Sequence, residues 1–453
     1  MIPDLKKKLE RQLRIFRKRT SVSRDAHARS GRIIPGGVAG NEYFVDPYPL
    51  RIDSALGAMI RDADGNSYID CNNAYGTLIL GHGNRKVVQA ISEAIETLGT
   101  TVSPGPNQLE LQYAMQLSDI IRSAEMVRFT ATGTMANQLA IRLCLAYGKA
   151  GKVGKFEGQF HGSFSYGLIS SRTPRGEWGP SYAPYPYPCS KDVGEHELYS
   201  TVVMPFNRLE ETIALIKKHR RELSCVIMEA VSGGYRAASK DFIKGVRETT
   251  EKYDIPLILD ETTTGFRVSL GGAQERYRIT PDLTTLGKIL GGGLPLGAVV
   301  GRRDIMELLI PSKGEKGVFH SETSSGNVLS LAAGLATVNQ LKREGTYVYL
   351  EKIAQTIKKE IEGLSQTYNL HIQPLSFTSI INTVFTGGKI LNYRDMFKED
   401  AAAHYLFDLM LLNNGIFVVP GQPWYLCTAM TKPDMQRTAE VIEAIFDYMS
   451  QPL

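Results

Sequence analysis

Apolar positions along the chain follow two periods, and they predict its elements. Leu5, Leu9, Leu13 and Phe16 recur at helical spacing with charged residues between them, which predicts an amphipathic helix at the start. Residues 57–70 (GAMIRDADGNSYID) read as a hairpin around the Asp64-Gly65 pair, a dipeptide favoured in tight turns. Residues 107–121 are helical in period, and residues 127–148 (VRFTATGTMANQLAIRLCLAYG) read as strand, glycine turn and helix. Two buried-strand runs, Leu223–Val231 (ending near Glu229) and Ile255–Leu259, flank an amphipathic stretch from Asp241 to Tyr253. Strand, helix and strand in that order predict a right-handed βαβ unit, an α/β fold and a mostly parallel sheet. From about Ser330 helical stretches alternate with short strands (SIINTVF, GIFVVP), which predicts a smaller C-terminal domain.

The chain is organised around residues 255–297. The run from Ile255 ends on Asp260 and Glu261, and Lys288 follows in a loop with Gly291, Gly292 and Gly293 behind it. Ligands of parallel sheets bind at the carboxyl ends of the strands, where Asp260 would lie. A lysine in a glycine-framed loop and a carboxylate at a buried strand end suit pyridoxal phosphate. Lys288 would form a Schiff base with its aldehyde, and Asp260 would keep its pyridine nitrogen protonated. From spacing alone, a strand-capping Asp260 and a surface Lys288 remain equally open. Gly133 and Thr134 fall where a helix should begin, so their N–H groups and the helix dipole could hold a phosphate, or simply cap the helix.

Composition narrows the class. The 453 residues are 43% hydrophobic and 22% charged, ordinary for a soluble globular protein. No apolar run reaches the ~18 residues of a membrane span, and MIPDLKKKLERQ has no secretory apolar core. The five scattered cysteines suggest reduced thiols and a cytoplasmic setting. The eight histidines form no metal-ligand pattern, and no GxxxxGK loop is present. Net charge is +5, with eleven Lys/Arg against three Asp/Glu in residues 1–32; that leaves 41 basic against 44 acidic residues elsewhere, a balance of −3. Because the leucines share one face, the basic arm reads as a helix packing on the body or on a second subunit, not as a nucleic-acid site.

DETTTGFR (260–267) followed by PDLTTLGKILGGGLPLGAVVG (281–301) resembles the signature of class III aminotransferases. The resemblance is strongest to the branch holding glutamate-1-semialdehyde aminomutase and the β-amino-acid transaminases, and it runs over nearly the whole chain. It implies a fold type I pyridoxal-phosphate enzyme. Its large cofactor domain would span 71–329 and its small α+β domain 330–453, with 1–70 as an N-terminal helix and hairpin segment packing on the latter. It places the phosphate on Gly133 and Thr134, in a motif usually written SGTEA that here reads TGTMA. It stacks an aromatic residue, Phe160, on the pyridine face, with His161 beside the site, and puts Thr262 against the other face, its hydroxyl available to a ring oxygen. Thr323, in the segment matching GT-x-SGNP, would reach the phosphate of the neighbouring subunit, so the implied assembly is a homodimer with shared active sites. Tyr75 would form an aromatic wall near the substrate.

The relatives split between transamination, in which an amine passes to a separate keto acid or aldehyde in a ping-pong cycle, and intramolecular amino transfer. Several segments (RIIPGGV, YIDCNNAYGTLILGHGN) favour the aminomutase. Against it, VVPGQPWYLCTAM lacks the glutamate expected there, and the 37–44 loop carries Glu42 where carboxylate-binding relatives carry arginine. Transamination is therefore the expected activity, with the aminomutase and an amino-acid racemase as alternatives. A buried Glu42 would favour a cationic or hydroxyl-rich amine, whereas a carboxylate substrate would need another cation such as Arg236 or Arg175. The proline- and tyrosine-rich residues 172–200 would border the substrate entrance, or form a rigid surface excursion.

Overall fold

The computed structural model describes residues 2–148 and 150–453. The chain divides into two compact units, one of residues 85–347 with 390–397, the other of residues 2–84, 348–389 and 398–453. Among the described residues no helix is long and apolar enough to cross a membrane.

The unit built on 85–347 is an α/β layer structure around a seven-stranded sheet. Its strands lie in the order Met126–Thr130, Gly297–Gly301, Leu283–Leu286, Leu257–Asp260, Leu223–Met228, Lys152–Phe156 and Thr201–Met204. All are parallel except Gly297–Gly301, which runs against both neighbours. The central strands are buried on both faces, which is why they show no alternation of apolar and polar positions; even the two threonines of Leu283–Leu286 are buried. The helix Lys240–Lys252 joins Leu223–Met228 to Leu257–Asp260, as the periodicity predicts. It begins at Ser239, whose hydroxyl accepts from Phe242 N. Helix Gly133–Tyr147 packs its Ala136, Leu139, Ala140, Leu143 and Cys144 face on the sheet.

Residues 172–200 are mostly irregular and fixed in place by a segment much later in the chain. Arg394 forms a bidentate pair with Glu157 (2.8 and 3.0 Å) and also donates to the carbonyls of Trp178 and Gly179. Tyr393 donates to Thr173 O (2.9 Å), and Phe397 packs edge-on against Trp178. A carboxylate–guanidinium fork of this kind is geometrically specific and strong, so residues 173–179 are anchored to the 393–397 segment.

The second unit holds two smaller sheets. In one, the antiparallel strands Ile52–Leu56, Met59–Asp62 and Ser67–Asp70 are joined by the parallel Ile416–Phe417. The expected hairpin is present, and Asp62 closes its turn by accepting from Asp64 N and Asn66 N. The other sheet pairs Ile372–Phe377, Ile380–Phe385 and Trp424–Tyr425. The first helix, Leu5–Arg19, differs from its apolar stripe. Its buried positions are Lys8, Gln12 and Phe16, with the leucines only half buried beside them. Lys8 tolerates burial because its ammonium donates to the carbonyls of Met449 and Gln451 at the end of the last helix.

One close approach fixes the loop that carries Lys288. Gly334, in helix Val328–Leu341, lies so near that loop that a Cβ there would fall on the Leu290 carbonyl oxygen, which also accepts from the Tyr113 hydroxyl (2.7 Å). Gly334→Ala is expected to destabilise the chain by about 1–3 kcal/mol, because backbone and not a mobile side chain must yield. Urea unfolding of the variant beside the wild type measures it.

Candidate active site

Asp260 ends a central strand, is 2% exposed, and collects four hydrogen-bond donors. Its Oδ1 accepts from Thr262 N (3.0 Å) and Thr262 Oγ1 (2.7 Å). Its Oδ2 accepts from Asn137 Nδ2 (2.8 Å) and lies 2.8 Å from His161 Nδ1. Burial alone would push this carboxyl up, but His161 and the Thr262 donors outweigh it and hold it below the ordinary carboxylate range. Burial pushes His161 the other way, below its usual value, so a neutral imidazole donates through Nδ1 to a charged carboxylate. Its Nε2 is buried with no hydrogen-bond partner among the described residues.

Asn137 ties this carboxylate to the helix that starts at Gly133. It stands four residues on, hence on the same face. Besides Asp260 it donates to His161 O (2.9 Å) and accepts from Thr285 Oγ1 (2.5 Å). At the helix start Thr132 accepts from Met135 N, and Ala136 N bonds Thr132 O. The amides of Gly133 and Thr134 precede those bonds and are two of the four a helix leaves without an internal partner. The place is tight. A Cβ on Gly133 would stand 2.8 Å from Thr262 Cγ2, and one on Gly287 would stand 3.1 Å from Gly133 Cα.

Lys288 opens a short helical turn (288–291) with its backbone in the left-handed region (φ 47°), between the extended Gly287 and the left-handed Gly292. Its ammonium donates to Thr263 Oγ1 at 2.8 Å. The three threonines after Asp260 therefore diverge. Thr262 turns back to Asp260, Thr263 meets the lysine, and Thr264 donates to the buried Glu261 carboxylate. The Thr262 hydroxyl, expected at a ring oxygen, donates to the Asp260 carboxylate in this structure. Thr263 was not singled out by the sequence, because three consecutive threonines give no sign of which one faces the lysine.

Glu229 is a second residue that pattern reading left out of the site. One residue past the register pair Met228–Leu259, it stands beside Asp260 on the neighbouring strand. Its Oε2 accepts from Gly233 N (3.1 Å), and it is 7% exposed. Burial, reinforced by the charge of Asp260, pushes its pKa up to about 8, against the opposing pull of Lys288 and Arg236. A carboxyl at the end of an apolar strand was the available signal.

The remaining expected residues fall as follows. Phe160, beside His161, leaves 43% of its surface exposed. Thr323 is exposed on a turn whose Glu322 accepts from Ala131 N (2.7 Å), which ties that turn to the start of the Gly133 helix. Arg236 is buried and Arg175 exposed, both in the same unit as Lys288. Glu42 and Tyr75 belong to the other unit, where the Tyr75 hydroxyl donates to Glu42 O. Glu42 is exposed and not buried, since it lies in a one-turn helix (Asn41–Tyr43) with no buried residue. An exposed Glu42 does not meet the burial that a preference for a cationic amine would require.

These features suit the cofactor expected from the sequence. A buried charged carboxylate can keep a heterocyclic nitrogen protonated, two open helix amides can take a phosphate, and a lysine amine sits on a fixed loop. Among the described residues no cluster of His, Cys, Asp and Glu could hold a metal ion. Sheet order, strand-end carboxylate and loop lysine together define a fold type I enzyme. The aminotransferase class-III family model matches residues 43–375, and the chain belongs to that family. It is 38% identical over 429 residues to a glutamate-1-semialdehyde 2,1-aminomutase of Methanobrevibacter smithii, covering 94% of this chain and 98% of that one. Among solved structures it is similar to an omega-transaminase from Sphaerobacter thermophilus (TM-score 0.89, 30% identity, 94% and 97% of the two chains). It is also similar to a transaminase solved with PLP bound (TM-score 0.86, 27% identity, 95% and 99%).

The raised Glu229 carboxyl has a consequence for stability. Its folded pKa, about 8, lies above the ordinary value of 4.5, so between these the folded chain keeps a proton that the unfolded chain releases. Its contribution is full below the lower value and is lost as pH rises through the upper one. Glu229→Gln should therefore match the wild type at about pH 5 and exceed it at about pH 9, as measured by urea unfolding at both.

Proposed function

We propose that the chain is a pyridoxal-phosphate-dependent aminotransferase that passes an amino group from an amine or amino-acid donor to a keto-acid or aldehyde acceptor in a ping-pong cycle. The observation that carries this is the charged Asp260 at a strand end, locked by four donors, in one unit with the Lys288 amine. When bound, the cofactor supplies an electron-withdrawing ring that acidifies the proton on the amine-bearing carbon. Asp260 holds the proton on the ring nitrogen, and His161 and Asn137 hold Asp260 in register. Lys288 anchors the cofactor and carries a proton at Nζ, with Thr263 orienting that atom. The Gly133 and Thr134 amides take the phosphate, Phe160 covers one ring face, and Thr262 serves through Asp260. Thr323 reaches the phosphate in the neighbouring subunit of a homodimer.

A second reading, intramolecular transfer of the kind named for the Methanobrevibacter relative, is favoured by the 38% identity across nearly the full length of both chains. The two readings separate in a half-reaction. Mixed with a single amine and no keto acceptor, a transaminase converts its own cofactor to the amine form and stops. A mutase or racemase accumulates rearranged or inverted product without any acceptor. The expected outcome is the first, followed by absorbance and by mass spectrometry of the amine.

The site assignment has its own test. Borohydride treatment of the protein with cofactor should fix the cofactor's mass on the peptide holding Lys288, and Lys288→Ala should lose both the tag and turnover. Asp260→Asn should slow the half-reaction by about 100- to 1,000-fold, the range found when a charge that stabilises the reacting state is removed. A protein that takes up no cofactor, or is tagged elsewhere, contradicts the assignment.

A further inference from the structure

Among the described residues Arg236 is a cation with no paired anion. It lies in a small hairpin, Val231–Ser232 paired with Arg236–Ala237, that springs from the strand end where Glu229 lies beside Asp260. The residue is 8% exposed. One guanidinium nitrogen donates to the Tyr235 hydroxyl (2.7 Å) and another to Ser232 Oγ (3.1 Å), both neutral partners. Its Nε is buried with no acceptor, and among the described residues no carboxylate pairs with it. A buried guanidinium normally meets a carboxylate or phosphate, because burying its charge uncompensated costs several kcal/mol.

The fold aims this cation at the chemistry already described. To reach Ser232, the guanidinium folds back over the hairpin turn, where a Cβ on Gly233 would stand 3.6 Å from Nη2. The Gly233 amide is the one that Glu229 accepts. Arg236 and the Glu229 carboxyl thus flank one peptide, and Glu229 is in turn within the electrostatic reach of Asp260 and Lys288. Glu229 does not cancel the guanidinium charge, for it is not within ion-pair distance and burial keeps it largely protonated at neutral pH. The ring of Tyr235, 4.8 Å from the guanidinium carbon, holds the fork by cation–π attraction, and Nε is the donor left without an acceptor.

We propose that the Arg236 guanidinium is the receptor for a substrate carboxylate, so that the enzyme acts on amino acids in preference to simple amines. This assignment of substrate class rests on the amino-transfer reading above. It also accounts for the arginine missing from the 37–44 loop, since the cation is supplied from the hairpin after Glu229. Planar bidentate recognition of carboxylate is what arginine does and lysine does poorly.

The test separates this proposal from the reading it rests on. Butanoate and butanamide, unreactive probes differing in one charge, are titrated by ligand-observed NMR into the cofactor-loaded protein. The wild type should bind the acid about tenfold more tightly than the amide, the scale of one charged hydrogen-bonded contact. Arg236→Gln should erase that preference and Arg236→Lys should keep only part of it. Tyr235→Phe, which removes a neutral partner and leaves the charge, should preserve it, and it keeps the test decisive if the arginine variants fold poorly. Equal binding of the two probes by the wild type overturns the proposal, as does a preference that survives Arg236→Gln or is lost in Tyr235→Phe. A protein that discriminates the probes yet takes up no pyridoxal phosphate refutes the amino-transfer reading and leaves the anion receptor standing.

Discussion

The arrangement depends on keeping one carboxylate charged where water cannot reach it. A lone carboxylate taken out of water loses several kcal/mol of solvation, and Asp260 recovers this through donors from three separate segments. The turn after its own strand gives two, the loop after Phe156 gives His161, and the Gly133 helix gives Asn137. Each donor also fixes the element it comes from. The carboxylate is thus the joint at which the cofactor-side elements of this unit are held to one another, and Asn137 extends the joint to the next strand through Thr285.

The contrast with Glu229 shows how finely burial is decided. Two carboxyls stand side by side at the ends of adjacent strands, both removed from solvent. One is saturated with donors and stays ionised, whereas the other receives a single backbone N–H and is held protonated. Environments that drive neighbouring acids apart in this way are the usual mark of a site built for proton handling. In this chain the neutral member also leaves the positive charge beyond it uncancelled.

The two central strands Leu223–Met228 and Leu257–Asp260 were legible because they are short, mostly apolar and separated by a helix with clear periodicity and a serine cap. Asp260 and Lys288 stood out for the same reason, as charges bounding apolar or glycine-rich stretches. What could not be read depended on distant partners. Lys8 looks like a surface charge until the carbonyls of residues 449 and 451 arrive to accept from it. Arg394 gives no hint that it secures residues more than two hundred positions earlier. Thr262 and Thr263 differ only in the path of the turn after the strand. Glu42 was legible as an acid in a polar loop, and it lies exposed in a one-turn helix.

The meeting of Gly133, Gly287 and Thr262 has one further implication. Main chain touches main chain there, so the span between the open helix amides and the lysine loop is set by atoms that no rotamer change can move. For a guest held at both ends, as proposed, that span would set its length. An engineer wishing to seat a longer or shorter cofactor would have to shift a whole helix, since trimming side chains around the rim would leave the span unchanged.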